Sequence, residues 1–150
     1  MINGDMPGNG MLYVANSLPI MHACNILLAD NNIGDQYLLK ELVHQLDRSW
    51  RVHVAPNARQ ALQYLNHLTR ADYPAVILMD HALPVKGALE LLERLTHDPR
   101  YTQIPKFIWS AAGMPGGAEV YLSLGARGFL QKPQKASEAK ALIRELLAAF

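Results

Sequence analysis

Cys24 is the only cysteine among 150 residues, so no internal disulfide can staple the chain and its fold must rest on a hydrophobic core. An excess of either charge is lacking too. Fourteen basic residues stand against 13 acidic ones, a formal net charge of +1, and nothing in that balance implies a nucleic-acid or membrane-surface partner. No apolar run approaches the roughly 20 residues needed to cross a bilayer, so no transmembrane helix is expected. Basic residues are missing from the start of the chain: none precedes Lys40, which excludes the basic beginning of a secretory or mitochondrial address. The default compartment is the cytoplasm.

What is present is apolar. Half of the residues are hydrophobic and 18% are charged, the composition of a soluble globular protein with the length of one domain. The first 24 residues stand apart, with Gly, Asn, Pro and four methionines, Met1, Met6, Met11 and Met21. They read as a mobile extension or as a start placed too early, with Met21 the true one. A competing reading is that Met11 to Ala15 and Leu18 to Met21 cover a neighbouring surface. The domain itself is expected over 25–150.

From Asn25 onward short apolar runs alternate with amphipathic stretches, the pattern of a parallel sheet wrapped by helices on both faces: an α/β, doubly wound fold. Strands are expected at Asn25–Ala29, Arg51–Ala55, Ala75–Met79, Lys106–Trp109 and Gly128–Leu130. The third is apolar throughout and reads as the middle of the sheet. Between them, Leu38, Leu39, Leu42, Val43 and Leu46 have helical spacing, as do Ala58, Ala61, Leu62, Leu65 and Leu68 after an N-capping Asn57. A third helix carries Leu89, Leu91, Leu92 and Leu95 and ends near Asp98-Pro99. Gly113, Pro115, Gly116 and Gly117 make a loop before a short helix through Val120, Tyr121, Leu122 and Leu124, which Gly125 closes. The last helix runs from about Ser137 to Ala149.

In such a sheet, ligands bind beyond the carboxyl ends of the strands where the strand order reverses. The residues that fall there are Asp30 and Asn31 after the first strand, Asp80 after the third, Ser110 after the fourth and Lys132 after the fifth. Taken singly, each is a turn former, a helix cap or a solvated lysine. Together they bring carboxylates, a hydroxyl and an ammonium to one crevice. Six histidines (His22, His44, His53, His67, His81 and His97) show no metal-ligand spacing. Neither a glycine-rich phosphate loop nor a nucleophile elbow occurs.

At these residues the chain resembles the bacterial two-component response regulators, in particular stand-alone receiver domains such as the chemotaxis receivers and the single-domain regulators that partner phytochromes. The resemblance rests on Ile26-Leu27-Leu28-Ala29-Asp30-Asn31-Asn32, on Val76-Ile77-Leu78-Met79-Asp80 with Leu83-Pro84 and Gly87, on Ile108-Trp109-Ser110-Ala111, and on Gly125 through Lys132-Pro133. It implies a flavodoxin-like (βα)5 sheet of strand order 2-1-3-4-5. It also implies that Asp80 accepts a phosphoryl group from a histidine kinase or histidine phosphotransfer protein and that the result is read by protein–protein docking. Catalysis extends only to the chain's own phosphotransfer and dephosphorylation. Mg²⁺ would lie against Asp30, Asn31, Asp80 and the backbone carbonyl of Ala82. Lys132 and Ser110 would meet the phosphoryl oxygens, Phe129 would act as the aromatic switch, and the Lys132-Pro133 bond would be cis.

One position departs from the family pattern. Its second acid after the first strand is here Asn31. A unit charge at 4 Å from a cation is worth about 4 kcal/mol per cation charge at an effective dielectric of 20, so weaker Mg²⁺ binding is expected. The face of the fourth helix, fifth strand and fifth helix, with Val120, Tyr121, Leu124, Leu146, Leu147 and Phe150, is a candidate docking or homodimer surface. Two rivals share this fold. A pseudo-receiver would dock without being phosphorylated, with Asn31 as its support; a flavodoxin-like cofactor binder would use the same crevice, to which Asp80 and Lys132 are poorly matched.

Overall fold

The computed structural model describes residues 11–12, 20–21, 24–84, 87–111 and 117–150. Two short strands, β1 (Met11–Leu12) and β2 (Ile20–Met21), pair antiparallel with each other. Their two-stranded sheet is separate from the main one. The expectations placed on Gly113, Pro115 and Gly116 lie outside the described residues.

The main sheet holds five parallel strands, β3 (Asn25–Ala29), β4 (Arg51–Ala55), β5 (Val76–Asp80), β6 (Lys106–Ser110) and β7 (Gly128–Gln131). Their order is β4-β3-β5-β6-β7, the expected 2-1-3-4-5. Every residue of β5 is buried, as the unbroken apolar run of a central strand requires. Five helices connect and cover the strands: α1 (Ile33–Leu46), α2 (Ala58–Asn66), α3 (Gly87–His97), α4 (Ala118–Ser123) and α5 (Ala136–Ala149).

Strand periodicity divides the core in two. Leu27, Ile77, Met79 and Ile108 point to one face and pack with Leu65, Leu91, Leu92 and Tyr121 from α2, α3 and α4. Ile26, Leu28, Leu78 and Trp109 point to the other and meet Leu39, Val43, Ile143 and Leu146 from α1 and α5. Caps start the first two helices: Asn32 accepts from the Asp35 amide at 2.9 Å and Asn57 from the Gln60 amide at 2.8 Å. Gly125 takes a φ of 110° and its amide bonds to the Leu122 carbonyl, closing α4 as expected.

The face expected to offer six apolar side chains for docking offers fewer. Tyr121 and Leu146 are buried, and Leu147 and Phe150 pack against the core under α5, Phe150 edge-on to Phe107. A helix of only six residues has no long periodicity to orient it, and Tyr121 turns inward. Val120 remains exposed, and Leu122 with it.

Candidate functional site

Strand register brings the polar residues together. Ala29 lies beside Met79, Asp80 beside Trp109 and Ser110 beside Gln131, so the residues after β3, β6 and β7 stand around the end of β5. The Asp30 amide donates to the Ala55 carbonyl at 3.0 Å and the Lys132 amide to the Ser110 carbonyl at 2.7 Å. Both backbones are thereby held before their side chains are placed. Asp30, Asp80 and Ser110 are buried.

Lys132 is the hub. Its Nζ lies 2.8 Å from Asp35 Oδ2, 3.0 Å from Asp30 Oδ2 and 3.3 Å from Asp80 Oδ1. Asp35, in the first turn of α1, accepts a hydrogen bond from the ammonium. Burial works against the charge on Lys132, but the hydrogen bond to Asp35, the close ion pair with Asp30 and the charge of Asp80 outweigh it, and its pKa is raised. The Lys132-Pro133 peptide is trans, which corrects the expected cis bond. A trans link already delivers the ammonium to all three carboxylates, and trans is the lower-energy isomer by about 0.5–1 kcal/mol.

Asp30 has no exposed surface. Its Oδ1 accepts from the Asn32 amide at 2.8 Å, whereas the buried Oδ2 receives no hydrogen bond despite its ion pair with Lys132. Burial raises its pKa to about 6 and Asp80 adds to the rise, against the opposing pull of the Asn32 amide and Lys132. Asp80 Oδ1 accepts from the Ala82 amide at 3.1 Å, and the Leu83 amide closes a turn on the Asp80 carbonyl at 3.1 Å. Pro84 lies exposed on the same loop. Gly87 begins α3 where a Cβ would come within 2.8 Å of Leu83 Cβ; a side chain there would force the loop off the helix.

Asn31 is exposed, at the rim of the crevice rather than inside it. Phe129 is half-buried on β7 and meets Tyr121 edge-on, 5.7 Å between ring centres. Tyr121 in turn lies 5.7 Å from the His81 ring. A line of three rings therefore leads from the residue after Asp80 to Phe129. Phe129 was legible in the sequence, but Tyr121 as its ring partner and Asp35 as the partner of Lys132 were not; the i, i+5 spacing of Asp35 from Asp30 is the one local signal that could have pointed to Asp35.

Residues 26–144 match the family described as the response regulator receiver domain. The chain belongs to the response regulator receiver family. It is 29% identical over 124 residues to response regulator Rre1 of Synechocystis, covering 83% of this chain and 52% of Rre1. It spans, then, about half the length of that relative. The two-component response regulator ARR17 of Arabidopsis thaliana is 28% identical, with 82% of this chain and 84% of ARR17 covered. Among solved structures, the phosphorylated cyanobacterial phytochrome response regulator RcpA superposes with a TM-score of 0.72 at 22% identity, covering 83% of this chain and 91% of RcpA. The Mn²⁺-bound form of response regulator Rcp1 gives 0.68 at 18%, covering 81% and 90%. At these identities the structures establish the receiver fold and no more. As a receiver, the chain is a signalling module of two-component systems.

Receivers bind Mg²⁺, and the crevice suits such a cation. Three carboxylates surround the Lys132 ammonium, and the fully buried Asp30 Oδ2 has that ammonium, 3.0 Å away, as its ion-pair partner. The carboxylates outnumber the ammonium, and a hard cation that prefers oxygen ligands would balance the excess charge.

Proposed function

We propose that Asp80 is the phosphoacceptor, that a histidine kinase or histidine phosphotransfer protein supplies the phosphoryl group, and that the phosphorylated chain signals by docking to another protein. One observation carries the reading: the Asp80 carboxylate is buried at the end of the central strand with Lys132 Nζ 3.3 Å away and Asp30 3.0 Å from the same ammonium. In the transfer, an Asp80 oxygen forms a bond to phosphorus as the P–N bond of the donor breaks. The donor ring leaves as neutral imidazole when its other nitrogen carries a proton. The Asp80 turn, held by the Ala82 and Leu83 amides, fixes the direction of attack. Lys132 offers the phosphoryl oxygens a point charge and Ser110 a hydroxyl.

Asp30 and Asp80 would hold the Mg²⁺, with the Ala82 carbonyl and the Asn31 amide oxygen as further ligands. Bound there, the ion would neutralise charge on the phosphoryl oxygens. With Asn31 in place of an acid, its affinity is lowered but retained.

A donor that reaches Asp80 must cover the rim of the crevice. Ile33 and Tyr37 on α1, 79% and 69% exposed, offer apolar contact there. Phe129, in contact with Tyr121, would transmit the event to α4, where exposed Val120 and Leu122 give a downstream partner or a second copy of the chain a foothold. Residues 1–24 are an extension to a receiver domain of residues 25–150, and a reducing cytoplasm suits the single exposed thiol of Cys24.

The test is incubation of the full chain with acetyl phosphate and saturating Mg²⁺, followed by a phosphate-affinity gel. The wild type should shift and Asp80→Asn should not. A wild type that never shifts would mean docking without phosphorylation, and an absorbing cofactor in the purified protein would mean a different use of the crevice.

A further inference from the structure

Lys132 has more anionic partners than phosphotransfer requires. Asp30 and Asp80 come from the ends of the two strands that frame the crevice, but Asp35 reaches in from a different layer, one turn into α1. Of the three contacts it is the shortest, 2.8 Å, and the one with hydrogen-bond geometry. Asp35 is also held independently of Lys132: its amide donates to the Asn32 side chain at 2.9 Å, and the neighbouring Gln36 amide group donates to the Asp30 carbonyl. The first turn of α1 is thus built onto the crevice, and the Asp35 carboxylate cannot follow Lys132 far if the lysine moves.

An ammonium has three N–H donors. For Lys132 to serve a phosphoryl group on Asp80 it must turn donors from carboxylates toward phosphoryl oxygens. Asp30 and Asp80 stay within reach of that new position, because Asp30 follows the strand adjacent to that of Asp80 and Asp80 carries the phosphoryl group. Asp35 does not share that advantage. Its bond to Lys132 is the one in direct competition.

Resting on Asp80 as the phosphoacceptor, we infer that Asp35 is a positioning residue that competes with the phosphoryl group for Lys132, so that it restrains phosphorylation and ties the first turn of α1 to the unphosphorylated state. Phosphorylation then releases that turn, which bears the exposed Ile33 and leads into the exposed Tyr37.

The experiment follows phosphorylation by acetyl phosphate at saturating Mg²⁺, by time course on a phosphate-affinity gel, in wild type, Asp35→Asn, Lys132→Ala and the double variant. Asp35→Asn should take up the phosphoryl group about tenfold faster, the worth of one charge-assisted hydrogen bond partly offset by solvent. In the Lys132→Ala background the same substitution should change nothing, an outcome that a purely structural role for Asp35 would not produce. Asp35→Glu, which keeps the charge, should stay closer to wild type than Asp35→Asn. Thermal unfolding of each variant confirms that it is folded. An unchanged or slower rate in Asp35→Asn, with wild type still labelled, overturns the restraint alone. Absence of labelling in every chain overturns the phosphoacceptor reading, and the restraint with it.

Discussion

Two lysines, Lys106 buried and Lys132 half-buried, stand at opposite ends of the sheet and are held in opposite ways. Lys106 begins β6, and its Nζ donates to three backbone carbonyls, those of Tyr101 at 2.7 Å, Ile104 at 2.9 Å and Thr102 at 3.2 Å. No carboxylate lies among them. Burial, with Arg127 nearby, pushes its pKa down to about 8. Lys132, beyond β7, has three carboxylates and a raised pKa. Carbonyl dipoles fix a loop, whereas side-chain carboxylates hold a charge that another anion can claim. The first lysine belongs to the fold and the second to the chemistry.

Four substitutions sharpen that contrast. The largest effect is expected from Asp80→Asn, which should abolish phosphoryl uptake, while Lys106→Met leaves uptake intact once the protein is folded; a gel-shift time course on both compares the two ends directly. Next, Lys106→Met should cost about 1–3 kcal/mol in urea unfolding at pH 7, because three carbonyls lose their donor. The sign of the accompanying pH dependence follows from the depressed pKa. Between pH 8 and the ordinary lysine value near 10.5 the unfolded chain binds more protons than the folded one, so this group makes stability rise with pH across that window. The rise should vanish in Lys106→Met, and an identical profile in both proteins would break the contrast.

Asp30 acts in the other direction. Its folded pKa of about 6 lies above the ordinary aspartate value of 3.8, so the folded state binds more protons between those pH values and stability falls as pH climbs through them. The loss is on the order of 2–3 kcal/mol for this buried group. Asp30→Asn should remove it and unfold at higher denaturant than wild type at pH 7. The smallest effect belongs to Asn31. Because it sits at the solvent-exposed rim, Asn31→Asp should tighten Mg²⁺ by about tenfold rather than by the full Coulomb term, screening taking the rest. Tryptophan fluorescence during a Mg²⁺ titration reads this out, and equal affinities would show that the missing acid costs nothing.

The strands were legible because apolar runs at strand length report burial directly, as the unbroken Val76–Met79 does, whereas their order followed only from the family resemblance. The residues at strand ends were legible for the same reason: once the strands are parallel, Asp30, Asp80, Ser110 and Lys132 must share one edge. Asp35 was hidden because its partner lies 97 residues away and its position in a helix looks like an ordinary acid in a first turn, where the helix dipole favours one anyway. Tyr121 was misread as outward-facing because six residues of α4 carry too little periodicity to orient it, and only the packing on Phe129 and His81 decides. The pairing of β1 with β2 was not read from the sequence, in which Met11, Leu12, Ile20 and Met21 stood out only as apolar.

The central claim is that the cluster around Lys132 serves a phosphoryl group on Asp80, and the intact mass of the protein after treatment with acetyl phosphate and Mg²⁺ tests it most directly. One phosphoryl unit should appear on the wild type, diminish strongly in Lys132→Ala and be absent from Asp80→Asn. A wild type of unchanged mass, or an Asp80→Asn variant that gains the same unit, would contradict it.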